Sequence, residues 1–138
     1  MSTHEGYNIE ISSAYGQMWR YNIEVAGGCF DTNGQRTHFV SSHDKVADVA
    51  ATTTKPALIP AERRVVLAAP ACHRMLAYVY IIPHTLPADD EPEKPFDTTI
   101  RVMRGSTVIY EHVFGVNAWG GLSLELHVQG SDVAAAKK

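Results

Sequence analysis

The sequence predicts an all-β fold, a single-domain antiparallel β-sandwich of about seven to nine strands with at most one short helix. Apolar and polar residues alternate in several short segments, which indicates strands with one face in a core and one in water. Turn-forming Gly, Pro, Asn and Asp separate these segments. Residues 76–82 form an uncharged run rich in β-branched and aromatic residues, typical of a central strand covered on both faces. A β-barrel is the alternative, because closing a sheet also removes its edges.

Length and composition fit one domain. The chain has 138 residues, and its 45% hydrophobic and 20% charged content is that of a globular protein. We expect residues 1–130 to form the domain and residues 131–138, which are mostly small or polar, to be a disordered tail. A net charge of −3 gives no general attraction to nucleic acid or to an anionic membrane, so neither is an expected partner.

The first half of the chain contains four predicted strands. Residues 7–11 and 19–25 alternate with period two, as outer strands of an antiparallel sheet do. Residues 28–32 and 35–41 flank an Asn-Gly pair. That pair predicts a hairpin with a two-residue type I′ turn, in which both central residues have positive φ.

The middle of the chain changes character. Residues 41–62 lack strand periodicity and contain two prolines, so we predict a long crossing connection with one or two helical turns over 44–51. A short apolar run at 65–67 and the run at 76–82, which Pro83 ends, are the central strands of the predicted fold.

The second half returns to strands. Residues 84–96 form an acidic loop with three prolines, which excludes a central strand there. Segments 98–103 and 107–114 predict a second hairpin, and the glycine-rich loop 115–121 leads to an amphipathic strand at 122–128.

The predicted core takes the apolar residues at one parity of each strand. The residues concerned are Ile9, Ile11, Trp19, Tyr21, Ile23, Val66, Leu76, Tyr78, Tyr80, Ile82, Ile100, Val102, Val108, Tyr110, Phe114, Leu122, Leu124 and Leu126.

The acidic loop and the glycine-rich loop on either side of the second hairpin carry the candidate binding residues. A large ring in a loop suits an interface or a sugar-stacking site, and carboxylates suit a basic partner or Ca²⁺. Because both loops adjoin the second hairpin, we expect them at the same end of the sheet. The candidate binding residues are Trp119, Asn117, Asp89, Asp90, Glu91 and Glu93; the alternative Ca²⁺ ligands are Asp89, Asp90 and Asp97.

The chain lacks a recognisable catalytic or cofactor motif. Seven histidines occur without metal-ligand spacing, and Cys72-His73 are strand neighbours that would point to opposite faces. We therefore predict no enzyme activity, no cofactor and no metal at the histidines. The favoured function is a non-catalytic interaction or structural module for protein or peptide, and the alternative is a module for carbohydrate or Ca²⁺ that uses the end loops.

The N-terminal residues show no basic and apolar signal-peptide pattern, and no apolar run is long enough to span a membrane. A cytoplasmic protein is the expectation. The sequence leaves open whether Cys29 and Cys72 form a disulfide, and it leaves the oligomeric state open.

Overall fold

The computed structural model describes residues 6–15, 20–44, 63–83, 95–117 and 119–137, which form nine strands. In chain order these are β1 (Tyr7–Ser13), β2 (Tyr21–Phe30), β3 (Arg36–Asp44), β4 (Arg63–Ala69), β5 (Arg74–Pro83), β6 (Phe96–Arg104), β7 (Thr107–Val116), β8 (Leu122–Gln129) and β9 (Asp132–Lys137).

The strands form two antiparallel sheets. One has four strands in the order β4-β1-β6-β7, and the other has five in the order β3-β2-β5-β8-β9. Within the described ranges there is no helix, and neither sheet closes on itself. The predicted β-sandwich is therefore confirmed, and the barrel alternative is wrong. In the same ranges no helix has the length and apolar character needed to cross a membrane.

The core lies between the sheets and is built from alternate residues of the strands. β1, β2, β5 and β8 each turn every second side chain inward, so one face of each strand is buried. Ten of the predicted core residues are buried there: Ile9, Ile11, Tyr21, Ile23, Ile100, Val102, Phe114, Leu122, Leu124 and Leu126.

The central strand is covered on one face only, which corrects the sequence prediction. β5 lies between β2 and β8, and its odd-numbered residues from Met75 to Ile81 are at most 1% exposed. The even-numbered residues 76–80 are half-buried, and Ile82 is 43% exposed. Both parities of this run are apolar, so the pattern alone could not show which side faced the core.

Three other predicted core positions differ. Val66 on β4 is 39% exposed and Val108 on β7 is 49% exposed, because both lie on edge strands with their side chains outside the core. Val108 pairs with Met103 beyond an irregularity in the β6–β7 register, which turns it outward. Tyr110 is half-buried. Trp19 lies outside the described residues.

The C-terminal segment is a strand where the sequence predicted a disordered tail. β9 pairs antiparallel with β8 from Gln129↔Asp132 to Leu124↔Lys137. It forms an edge of the five-stranded sheet with mostly small, exposed side chains. Its composition resembles that of a tail because an edge strand of this kind contributes little to the core.

The β2–β3 hairpin is confirmed, although its turn differs from the predicted one. Gly34 has φ of +78°, and no non-glycine residue described has positive φ, so the turn is not type I′. The Gly34 amide donates to the Asp31 carbonyl at 3.1 Å, and Asp31 Oδ1 accepts from the amides of Asn33 and Gln35. The longer loop and the register shift after Cys29 are typical of a type I turn followed by a bulge.

The two ends of the sandwich carry different connections. Short turns at 31–35, 70–73, 105–106 and 130–131 form one end, named here the turn end. The opposite end holds the 117–121 turn and the strand termini Pro83 and Phe96. Segment 45–62, with most of the predicted helical turns, and segment 84–94 lie outside the described residues.

Candidate functional site

An aromatic surface covers the outer side of the five-stranded sheet. Phe39 is 64% exposed, and the Tyr78 and Tyr80 rings lie nearly parallel with centroids 6.3 Å apart. We name this surface the aromatic face, and its members are Phe30, Phe39, Leu76, Tyr78, Tyr80 and Ile82.

Strand register brings these residues together. Gly28 on β2 pairs with Phe39 on one side and with Leu76 on the other, so the three positions form one row across the sheet. The next row along the strands contains Ala26 beside Tyr78. Residues that pair directly point to the same side of a sheet, so the large side chains of β3 and β5 stand on either side of small residues on β2.

The small residues create a shallow groove. It has a volume of about 170 Å³ and is lined mainly by Ala26, Gly28, Phe39, Leu76 and Tyr78. A Cβ atom added to Gly28 would lie 3.4 Å from the Phe30 ring, so a side chain there would reduce the groove. The aromatic face is therefore a ridged surface with room for an inserted side chain.

Charges on the outer side of this sheet are separated along the strand direction. Arg36 and Arg74 lie in the row nearest the turn end, and the Arg74 guanidinium lies 4.5 Å from the centre of the Phe30 ring. Glu125 pairs with Tyr78 and Glu24 pairs with Tyr80, nearer the opposite end. Phe39 and Leu76 thus lie between the basic row and the acidic region, and the tyrosines stand beside the glutamates.

The outer side of the four-stranded sheet is different in kind. Glu10 accepts a hydrogen bond from Arg64 at 2.7 Å and lies 3.7 Å from Arg101, which also donates to Glu111 at 2.6 Å. Exposed ion pairs such as these contribute little stability, but they are the usual composition of a solvated sheet face. This side also exposes Val66, Val108 and Val113, so the two outer surfaces differ in their ion pairs and in their aromatic rings rather than in whether they expose apolar residues.

A second concave site lies at the turn end. Its volume is about 790 Å³, within the range of small-molecule sites. Tyr7 and Phe30 supply apolar lining, while His38, His73 and Arg104 supply polar groups. This cavity can accept a small polar ligand.

The two cysteines lie beside this cavity and are both free. Cys29 is fully buried, and half-buried Cys72 lines the cavity. Burial, followed by a hydrogen bond and an electrostatic interaction with the Cys72 side chain, raises the pKa of Cys29 to about 12. Cys29 is therefore a neutral thiol at physiological pH, which makes it a poor nucleophile.

The structure gives the predicted residues of the 117–121 turn a local role. Asn117 Oδ1 accepts hydrogen bonds from the amides of Trp119 and Gly120, each at 2.8 Å, so this oxygen holds the turn. Trp119 is half-buried, and its indole nitrogen is buried with no hydrogen-bond partner among the described residues. The ring is thus only partly available to a ligand.

The predicted acidic residues form no site within the part of the chain that the structure describes. Asp89, Asp90, Glu91 and Glu93 lie in a segment outside the described residues. Asp97 is exposed on β6, and its backbone carbonyl accepts a hydrogen bond from Ser13 at 3.0 Å. Among the described residues there is no group of three or more His, Cys, Asp or Glu side chains that could hold a metal ion.

The sequence pattern does not predict the aromatic face, although the sequence contains evidence for it. The even-numbered residues of the central run are apolar, and their parity alone predicts that they belong to the core. The clue that could have separated the parities lies in β8, where Ser123, Glu125 and His127 alternate with leucines. Once β8 pairs with β5, these polar residues share a face with the tyrosines, and that face cannot be the core.

Comparison with known proteins adds a fold likeness at most. No family model matches the chain, and no curated protein does. The structure is similar to a domain of unknown function, DUF4425, from Bacteroides vulgatus, at a TM-score of 0.42 and 11% identity over 99% of both chains. A DUF4425 family protein from Bacteroides ovatus is similar at a TM-score of 0.38 and 9% identity, over 99% of this chain and 94% of that one. Similarity at this level carries no argument about the function of this chain.

Proposed function

We propose that this chain is a non-catalytic protein-interaction module and that its binding surface is the aromatic face. The observation that carries the proposal is the contrast between the two outer surfaces: one combines ion pairs with exposed valines, while on the other exposed Phe39 and Ile82 flank half-buried tyrosines. A contiguous exposed apolar patch with a polar rim is typical of an interaction site.

The chemistry of the aromatic face favours a protein partner. Tyrosine and arginine are enriched among the residues that dominate binding energy, because each combines a large contact area with a polar group. Tyr78, Tyr80 and Arg74 lie on one strand of this face, and the groove beside Gly28 offers a pocket for a side chain of the partner. Support for a non-catalytic role comes from the surface itself, which is mainly apolar and ridged, with a shallow groove of about 170 Å³.

The test compares two lysine substitutions at similar positions on opposite faces. Ile82→Lys introduces a charge on the aromatic face, and Val66→Lys introduces one at a similarly exposed residue of the four-stranded sheet. Parent and both variants, each shown to melt cooperatively, are used to capture proteins from an extract of the source organism. We expect the parent and Val66→Lys to retain the same specific proteins and Ile82→Lys to lose them.

Retention of the same proteins by all three forms would refute the proposal. A Trp119→Ala variant in the same experiment tests the loop surface that the sequence predicted around Trp119 and the acidic segment. If Trp119→Ala loses the partner and Ile82→Lys keeps it, the loops rather than the aromatic face bind. The predicted cytoplasmic location belongs to the same proposal, and fractionation of cells expressing the tagged chain checks it.

A small-ligand module for carbohydrate or Ca²⁺ is the second candidate, and the cavity at the turn end supports its carbohydrate form, since the described residues contain no group suited to a metal ion. The size and mixed lining of the cavity are the supporting observation. A ligand that binds only the native state at a hundred times its Kd stabilises that state by about 2.7 kcal/mol, so a thermal-shift screen with a glycan panel, Ca²⁺ and EDTA detects it. An Ala71→Trp variant, which fills the cavity from an exposed position, must abolish any shift that arises there.

A further inference from the structure

We propose, resting on the function proposed above, that the protein partner of the aromatic face is a second copy of this chain, packed face to face with its strands antiparallel to those of the first. Three properties of the five-stranded sheet support a second copy as the partner: the arrangement of charge on its outer side, the area of that side and the twist of the sheet.

Charge on the aromatic face is arranged so that the face complements itself. Arg36 and Arg74 lie toward the turn end, in a row that ends at Asp132 on β9, and Glu24 and Glu125 lie toward the other end, where Glu125 is 2.7 Å from His127. A two-fold axis in the plane of the interface and perpendicular to the strands reverses the strand direction of the second copy. The basic row of each copy then faces the acidic region of the other, as an isologous interface requires.

The apolar residues lie where such an axis would pass. On the central strand, Leu76 lies in the row between Arg74 and Tyr78, and Tyr78 shares its row with Glu125. In a symmetric dimer these residues would meet their own counterparts near the axis. Charged pairs would lie toward the periphery, where they set the relative orientation of the two copies. They would exclude the parallel arrangement, because Arg74 of one copy would then approach Arg74 of the other.

The outer side of the whole five-stranded sheet, of which the aromatic face is the part on β2, β3 and β5, is large enough for a stable dimer. Five strands about 4.8 Å apart span about 24 Å, and at about 3.4 Å per residue the central strand is about 30 Å long, which gives roughly 700 Å² per copy. Specific interfaces bury roughly 800 Å² per partner. Two sheets with the same twist also stack face to face readily, at about 30°, which is how sheets pack within sandwiches.

The test uses charge reversal on each half of the face. One double variant carries Arg36→Glu and Arg74→Glu, and the other carries Glu24→Arg and Glu125→Arg. A Glu111→Arg variant on the four-stranded sheet is the matched control, and all forms are checked by thermal melting. Sedimentation velocity over a concentration series measures the dimer dissociation constant, with one variant fluorescently labelled in mixtures.

We expect the parent and Glu111→Arg to dimerise with the same dissociation constant. Each double variant alone should dimerise at least tenfold more weakly, because like charges then face each other. An equimolar mixture of the two double variants should form a heterodimer, because reversed arginines of one copy meet reversed glutamates of the other.

Other results overturn the inference in distinguishable ways. A parent that stays monomeric at the highest attainable concentration refutes the second copy as partner, while the function proposed above stands if Ile82→Lys still loses captured proteins. A parent that dimerises while the mixed double variants do not refutes the antiparallel arrangement. A dimer that neither the charge variants nor Ile82→Lys weakens does not use the aromatic face.

Discussion

At the turn between β7 and β8, one glycine is required by both its backbone and its surroundings. Gly121 has φ of +74°, and an added Cβ would collide with the backbone carbonyl oxygen of Ile81. Its amide donates to the Asn117 carbonyl at 2.8 Å, which closes the turn. This glycine fixes where β8 begins beside β5, and hence the register that places the leucines of β8 in the core.

We therefore expect Gly121→Ala to lower the free energy of unfolding by more than about 1 kcal/mol, since a non-glycine residue in the left-handed region is strained and the new methyl group meets backbone. Chemical denaturation measures the change. Gly120→Ala is the matched control, because its Cβ would lie 3.6 Å from Asn117 Oδ1, an ordinary contact. Equal effects at the two positions would contradict this account of the turn.

Cys29 is the residue whose titration is coupled to folding. Its pKa is raised from 9.0 to about 12 in the folded protein, chiefly by burial, so the folded state holds this proton more tightly than the unfolded state does. Stability from this source is fully present below about pH 9. It is lost as pH rises toward 12, because the unfolded thiol ionises first.

Cys29→Ala tests this coupling, through the difference in the free energy of unfolding between the parent and the variant. At neutral pH the variant should be less stable, because it leaves a small cavity in the core. The difference should shrink as urea unfolding is repeated from pH 8 to higher pH, because only the parent loses the contribution of the protonated thiol. A difference that stays constant with pH would mean that the Cys29 thiol has an ordinary pKa in the folded state.

Among the elements, β5 joins the core to the proposed binding surface. It pairs with β2 along its whole length and with β8 from Arg74 to Ile81, with Val79 fully buried on one face and Tyr78 half-buried on the other. The run at 76–82 predicts the central strand correctly because it is short, uncharged, rich in β-branched and aromatic residues, and ended by Pro83. The assignment of its faces was wrong, because an uncharged run at both parities fits a strand covered on two sides as well as one.

Opposite substitutions on β5 test this division. Val79→Asp should unfold the domain, because an unpaired charge in the core costs several kcal/mol. Tyr78→Asp, one residue away on the outer face, should leave cooperative folding in place with a modest fall in melting temperature. Circular dichroism melting distinguishes them, and a Val79→Asp protein that melts like the parent would show that this face of the strand is not buried.

The other strands differ in how well their own residues predict their position and their buried face. Strands with clean alternation, such as β1 and β8, have the predicted inward residues because only one parity is apolar. β9 could not be predicted from its own residues, since small exposed side chains form a strand only when a partner strand supplies the hydrogen bonds. The candidate site depends on the register between strands that are distant in sequence. The periodicity within one strand carries no information about that register.

At the scale of the whole molecule, one outer face of the sandwich combines ion pairs with exposed valines, and the other carries the aromatic rings. Glu10 and Arg101 are typical of the first, and Phe39 and Tyr78 of the second. A protein with both outer faces in water would gain nothing from rings placed there, since exposed aromatic groups promote nonspecific association. The asymmetry is therefore the basis for the central claim that a protein partner covers the aromatic face.

Hydroxyl-radical footprinting tests that claim most directly, because it reads the solvent exposure of individual side chains whatever the partner is. The protein is oxidised at low concentration in buffer, and again at high concentration and in extract of the source organism. We predict that oxidation of Phe39 and Tyr78 falls in one or both of the latter conditions, while oxidation of Val113, which is 51% exposed on the four-stranded sheet, does not change. Phe39 and Tyr78 oxidised equally in all three conditions would contradict the account.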